Sequence, residues 1–295
     1  MKPSRSQFVV PAVLAAACAV AALLPAAAWA DLVVPRISPK ASVAQSIGIT
    51  DLSVNYCRPG VKGRAIWGEL VPYDKPWRAG ANEPTKFTTT DDIAVAGKPL
   101  AAGSYAVLTI PAQGTWTVIF SKQSDLSGST NYDEKQDALR VTAAPAAADH
   151  VEWLQYTFDD VTPTSANLTL RWEKLKVAVP ITVDVNTITL AKARTELAAA
   201  KADDWRSPLR AAQFTFDSGV AMDEGAKWLD QSIAIQPGYS NLNLKARWLA
   251  KAGDTKGAVV AAKQALELNK AQATPADATT LEASLAEWSG KKKKK

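Results

Sequence analysis

Between Ser42 and Val185 apolar and polar residues take turns along the chain. Leu52, Val54 and Tyr56 alternate with Ser53 and Asn55, and Trp116, Val118 and Phe120 with Thr117 and Ile119. Leu168, Leu170 and Trp172 alternate with Thr169 and Arg171, and Val177, Val179, Ile181 and Val183 continue the same rhythm. Successive side chains on a strand point to opposite faces, so a period of two marks strands with one face buried. Gly97-Lys98, Ala102-Gly103, Gln113-Gly114 and Ser127-Gly128 are turn pairs between the runs. Ser104–Ile110 followed by Thr115–Ser121 predicts a hairpin. The pattern predicts nine or ten short strands with no helical segment among them. That is an all-β sandwich or jelly roll, mostly antiparallel, over residues 31–186.

From Thr187 the rhythm becomes one apolar stripe per helical turn, rich in Ala and Leu. Breaks at Asp203-Asp204, Gly219, Pro237-Gly238, Gly253-Asp254 and Thr274-Pro275 predict about six helices over residues 187–290. Asp254 follows a glycine suited to end one helix and is placed to cap the next. Glu224–Pro237 lies over Lys256–Asn269 at a spacing of 32, with Gly225-Ala226 against Gly257-Ala258. This is similar to the second helix of tetratricopeptide repeats, whose period is about 34 residues. The second half therefore reads as all-α, tetratricopeptide-like hairpins. Two roles fit: a surface for a protein or peptide partner, or a cap that buttresses the sandwich.

The ends change the picture of compartment and charge. Lys2 and Arg5 precede an apolar run from Phe8 to Leu24, and Ala28-Trp29-Ala30 forms a small-x-small site before Asp31. This is the layout of a cleaved secretory signal peptide over residues 1–30. A membrane anchor is disfavoured by Pro11 and Pro25 within a span that needs about 20 apolar residues. A lipoprotein cut before Cys18 is disfavoured by Ala15 and by the apolar residues beyond it. Cleavage after Ala30 predicts a periplasmic or secreted chain of 265 residues with no integral membrane segment and Cys57 as its one cysteine, so no intrachain disulfide. The +5 charge falls to +3 without Lys2 and Arg5, and to −2 without Lys291–Lys295, a predicted disordered tail. The folded part is thus not basic, which argues against nucleic acid.

Several chemistries lack their residues. A single histidine, His150, and a single mature cysteine do not supply a typical zinc site, and H-E-x-x-H is absent. No G-x-S-x-G elbow, phosphate loop or dinucleotide glycine pattern occurs. No metal and no cofactor is expected. Carboxylates are plentiful, among them Glu69, Glu83, Asp91-Asp92, Asp125, Asp133-Glu134 and Asp159-Asp160. A hydrolase using paired acids, such as a carbohydrate-active enzyme, therefore stays open as the alternative.

The segment PWRAGANEPTKF, Pro76 to Phe87, concentrates unlike groups in a loop. Arg58, Arg64, Trp77, Arg78, Asn82 and Glu83 are the candidate ligand-binding residues. Arginine offers a planar fork for an anion, tryptophan a flat platform, and asparagine an orienting amide. Such a set would receive a small anionic or sugar-like ligand at a rim of the sandwich. The same residues also suit a structural clasp in which Trp77 plugs the sandwich, Arg78 ties loop carbonyls or Glu83, and Gly80 supplies the bend.

The blocks SPKASV (38–43), YCRP (56–59), VKGRAIWG (61–68), VPYDKPWRAGAN (71–82), GSYAVLTIP (103–111), WTVIFSK (116–122) and YDEKQDALRV (132–141) occur in this order. In that order they resemble a family of secreted bacterial proteins known as domain of unknown function 2911, over about residues 38–185. The resemblance implies a β-sandwich, a cell-envelope setting, often a helical tail, and no established activity. Cys57 and Ala79 depart from its pattern, where Ser or another small residue and Thr are usual. A hydroxyl role at either place is therefore not carried over. The leading expectation is a non-catalytic binding or scaffold protein.

Overall fold

A computed structural model describes residues 34–290 apart from 124, 125 and 127. The segments read above as signal peptide and lysine tail lie outside the described residues. The chain divides into two units, Met1–Ile37 and Ser38–Lys295. Only residues 34–37 of the first are described, and they form neither helix nor strand.

The alternating runs become strands β1 (Lys40–Ile47), β2 (Thr50–Cys57), β3 (Thr85–Thr89), β4 (Ile93–Val95), β5 (Lys98–Leu100), β6 (Gly103–Ile110), β7 (Trp116–Ser121), β8 (Asp137–Ala143), β9 (Pro145–Asp159) and β10 (Ser165–Thr182). All pair antiparallel, in a six-stranded sheet ordered β1-β2-β3-β6-β7-β8 and a four-stranded sheet ordered β5-β4-β10-β9. Their inner faces share one core, in which Val54, Phe87, Val107 and Phe120 from one sheet meet Leu154, Leu168, Leu170 and Val179 from the other. The hairpin expected from Ser104 to Ser121 forms, with Val107 opposite Phe120.

Two features differ from the sequence reading. A turn of 3-10 helix, Glu134–Gln136, lies between β7 and β8. The last strands are also long rather than short, at 15 and 18 residues. In β10 the inward positions are even up to Trp172 and odd from Leu175. The register with β9 shifts on both sides of Glu173, whose φ is +55°. A bulge inserts one residue and so exchanges faces, letting a single strand keep its apolar side inward across the change of parity. The outer side of β7 is covered as well. Ile119, Leu108 and Ala106 form a second cluster with Leu126, and Tyr132 packs against it.

Six helices follow: α1 (Val185–Ala199), α2 (Arg206–Ser218), α3 (Met222–Ile235), α4 (Tyr239–Lys251), α5 (Thr255–Lys270) and α6 (Thr279–Trp288). Asp184 caps α1 by accepting from the Thr187 N–H, and Asp254 caps α5 by accepting from the Gly257 N–H at 2.8 Å. The hairpin α2–α3 repeats as α4–α5 with each helix starting 33 residues later, 206 to 239 and 222 to 255. The buried positions Gly225, Trp228, Leu229 and Ser232 correspond to Ala258, Ala261, Ala262 and Ala265 at that same offset. The Gly-Ala identity at a spacing of 32 is therefore one residue out of phase. Gly257 serves the cap of α5, while Gly225 is a packing position. Among the described residues no helix is long and apolar enough to cross a membrane.

Helices and sandwich meet at the β1–β2 turn and α1. Val185 and Ile188 pack on the sandwich core. Lys192 Nζ lies 2.8 Å from both oxygens of Asp91 in the β3–β4 turn.

Candidate functional site

The chain from Arg58 to Pro84 crosses one end of the sandwich without forming a long strand, and backbone bonds hold it at both sides. Val61 donates to the Glu152 carbonyl and Leu154 to the Pro59 carbonyl, so the segment pairs with the edge strand β9. Trp77 exchanges both bonds with Thr109 of β6, at 2.7 and 2.8 Å. Ala79 is fully buried with φ +51°, and its carbonyl accepts from Thr85 Oγ1 and Tyr156 Oη. The bend expected at Gly80 instead falls on Ala79 and on Asn82 (φ +55°). Gly80 is needed for closeness: a Cβ there would stand 2.7 Å from Thr85 Oγ1.

The six candidate side chains have different surroundings among the described residues. Arg58 Nε donates to the Leu154 carbonyl at 2.9 Å, and Arg64 donates to the Val61 and Gly60 carbonyls at 3.1 and 2.6 Å. The Asn82 amide donates to the Ser38 carbonyl at 3.1 Å. Trp77 stacks on Trp172 with ring centres 5.9 Å apart and meets Trp67 edge-on at 6.0 Å. Trp116 completes this aromatic group at 5.0 Å from Trp67. Arg78 lies beside Gly128, and its buried Nε has no hydrogen-bond partner among the described residues.

Of the six, Glu83 lines an open groove formed by described residues. The groove, about 360 Å³, is lined by Lys40, Asn55, Cys57, Glu83, Pro84 and Lys86, with Ala41 and Tyr56. It lies on the outer face of the β1-β2-β3 end of the larger sheet, where Lys40 stands opposite Cys57 and Asn55 opposite Lys86. Lys40 Nζ is 3.2 Å from Glu83 Oε1, and Cys57 Sγ donates to Glu83 Oε2 at 3.2 Å. Burial, reinforced by the bond to Glu83, pushes the Cys57 thiol up, so it stays protonated and a weak nucleophile at neutral pH. Among the described residues the Lys86 ammonium and the Asn55 amide have no ion pair or side-chain hydrogen bond. Lys40, Asn55 and Lys86 were absent from the sequence-based set. Their one signal is outward alternation on β1, β2 and β3, which they share with every solvated strand residue.

A second polar constellation sits within the block YDEKQDALRV. Tyr132 Oη donates to Asp137 Oδ2 at 2.6 Å, Arg140 donates to Asp137 Oδ2 and to Tyr132 Oη, and Arg140 Nη2 reaches Glu134 Oε2 at 3.0 Å. Burial and the Asp137 bond push the Tyr132 phenol up to about 12, and Asp137 raises the Arg140 guanidinium further above its ordinary value. This network fastens the residue 132–136 segment to β8.

The other paired acids of the sequence also have partners. Asp159 accepts from Arg171 at 2.7 Å, Asp160 from Asn167 at 2.8 Å, and Asp92 from the Ala102 N–H at 2.8 Å. Burial opposes ionisation of Asp91, but bonds from Lys192, Thr50 and Thr90 hold its carboxyl below the ordinary range. Among the described residues no three His, Cys, Asp or Glu side chains gather as a metal site.

No curated protein and no solved structure matches this chain. Residues 38–181, which span the two sheets almost completely, match the family model described as Protein of unknown function (DUF2911), and this sandwich is similar to that family.

Proposed function

We propose that this is an exported protein of the cell envelope that binds a small hydroxylated anion, such as an acidic sugar, without transforming it. The sandwich is the binding body, and the helical hairpins form a scaffold or partner surface. The observation that carries the reading is a pair of polar ends without ion-pair or side-chain partners among the described residues, Lys86 and Asn55, side by side on neighbouring strands in a groove of ligand size. Lys86 receives the anion, while the Asn55 amide and the Glu83 oxygens suit hydroxyl groups. Glu83 is the one acid lining the groove among the described residues, whereas glycoside hydrolysis takes two carboxyl groups. The buried, protonated Cys57 thiol is unsuited to nucleophilic attack. The N-terminal basic, apolar and small-x-small pattern supports export.

The test is calorimetric titration of the purified protein with galacturonate, gluconate and citrate, and with glucose as the uncharged control. A saturable acidic ligand should lose about tenfold in affinity in Lys86→Gln, consistent with loss of one charge-assisted bond. Equal affinity of Lys86→Gln and the wild type, or no saturable ligand, overturns the binding reading. On cell fractionation the protein should be found in the periplasm beginning at Asp31, and recovery only from the cytoplasm with an intact Met1 start overturns export.

A further inference from the structure

A second groove lies where the β1–β2 turn meets α1 and α2. It measures about 370 Å³ and is lined by Ile49, Thr189, Lys192, Ala193, Glu196, Leu197, Ser207, Arg210, Ala211 and Phe214. Its apolar side consists of Ile49, Ala193, Leu197, Ala211 and Phe214. Ile49 is 47 % exposed at the turn, a large aliphatic side chain held toward water at the mouth of the groove.

The charges on this groove set it apart from the rest of the helical region. Four arginines lie between residues 185 and 290. Arg194 pairs with Glu224 at 2.7 Å, Arg206 covers the Trp205 ring at 4.7 Å, and Arg247 lies 3.7 Å from Asp217 and 4.6 Å over Phe216. Arg210, on the groove, has no carboxylate, carbonyl or ring partner among the described residues. Lys192, also on the groove, is held by Asp91. An apolar channel with one unneutralised guanidinium at its edge is complementary to an amphipathic anion.

We infer that the α1–α2 groove is a binding site for a medium-chain fatty carboxylate, its head on Arg210 and its chain along Leu197, Phe214 and Ile49. The walls decide between an acyl chain and a peptide. The helical stretches of α1 and α2 that line the groove bond their own backbone groups internally, so an extended peptide would find no partners there for its amides. A hydrocarbon chain makes no such demand, and it gains from every CH₂ removed from water. The volume falls within the range of about 300–1,000 Å³ typical of small-molecule sites. Glu196 shares the rim and opposes the head group, which gives the site a second, opposite handle.

The experiment titrates purified protein with sodium decanoate below its micelle concentration, with decan-1-ol as the uncharged control. Calorimetry and thermal melting are the readouts. Saturable one-site binding is expected, weakened about tenfold in Arg210→Gln, weakened in Ile49→Ser, and strengthened in Glu196→Gln. All three side chains are exposed, and unchanged circular dichroism confirms that the variants are folded. Absence of saturation by decanoate overturns the assignment. So does unchanged affinity in Arg210→Gln, equal binding of decan-1-ol, or binding of an acidic peptide in place of decanoate. The first groove is tested separately, because Lys86→Gln leaves decanoate binding unaltered.

Discussion

The sandwich closes around Trp116, Trp172, Phe87, Phe120 and a set of Leu, Ile and Val from both sheets, joined in one cluster. The helical region closes around Ala212, Ala246, Ala262 and Ala265 together with Leu229, Leu242, Leu244 and Leu281, divided between two clusters that follow successive hairpins. Large side chains fill the space of about 10 Å between two sheets, whereas small ones let helices approach closely. The first core is built from partners far apart in sequence and is broken as a whole. The second is layered, each hairpin resting on its neighbour, so damage should stay local.

The sharpest way to separate the two is to remove a keystone from the first. Trp172 is 1 % exposed and touches both Trp67 and Trp77. Trp172→Ala should remove about 3–5 kcal/mol in denaturant unfolding, with the near-ultraviolet signal of the whole sandwich lost in one step. A small loss, or melting confined to one end, would break the picture of a single core.

Gly225→Ala asks the complementary question of the helices. A Cβ at Gly225 would overlap the Thr215 hydroxyl and lie 2.8 Å from the Trp248 ring, so α2, α3 and α4 must move apart. Overpacking of this kind should destabilise by about 1–3 kcal/mol, outweighing the gain of about 1 kcal/mol in helix propensity. Far-ultraviolet melting should report the loss in the helical signal while the sandwich transition stays in place.

Tyr156→Phe removes a bond to the Ala79 carbonyl but leaves Thr85 bonded to it. About 1 kcal/mol should be lost, and amide exchange around residues 77–82 should quicken. Unchanged exchange there would show that the loop is held chiefly by its pairing with β6.

The smallest effect concerns the link between the regions. The Asp91 carboxyl is held below its ordinary range in the folded protein, so pairing with Lys192 stabilises the fold above the ordinary carboxylate value of about 4. That contribution fades as the pH falls through the lower folded-state value. Asp91→Asn should therefore lose up to about 1 kcal/mol at neutral pH and match the wild type in acid. An equal difference at both pH values would show that the ionised carboxylate contributes nothing to the link.

Much of this architecture was legible in the chain because periodicity is a local property. Alternation at 52–56, 104–110 and 116–120 gave strands at those places, and the glycine and proline breaks after residue 200 fell between helices. The change of parity between Trp172 and Leu175 was also present in the sequence. The bulge that carries one strand through it depends on the partner strand β9 and so is not visible in the sequence. The repeat was seen one residue out of phase because a Gly-Ala identity is chemically ambiguous, whereas a buried stripe is defined only by what covers it.

Side-chain destinations were of another kind. The sequence by itself determined the two rhythms, the change between them near residue 185, and the absence of several catalytic and metal-binding motifs, since each depends on neighbours or on simple presence. Only the tertiary structure sent Arg58 to a carbonyl 96 residues away, joined Lys192 to Asp91 across 101 residues, and left Lys86 and Arg210 without partners among the described residues at the edges of two grooves. An arginine in a loop and an arginine on a helix carry the same fork. Which one meets a carbonyl and which one faces an open channel is decided by chain segments that come together only when the sheets close and the helices stack.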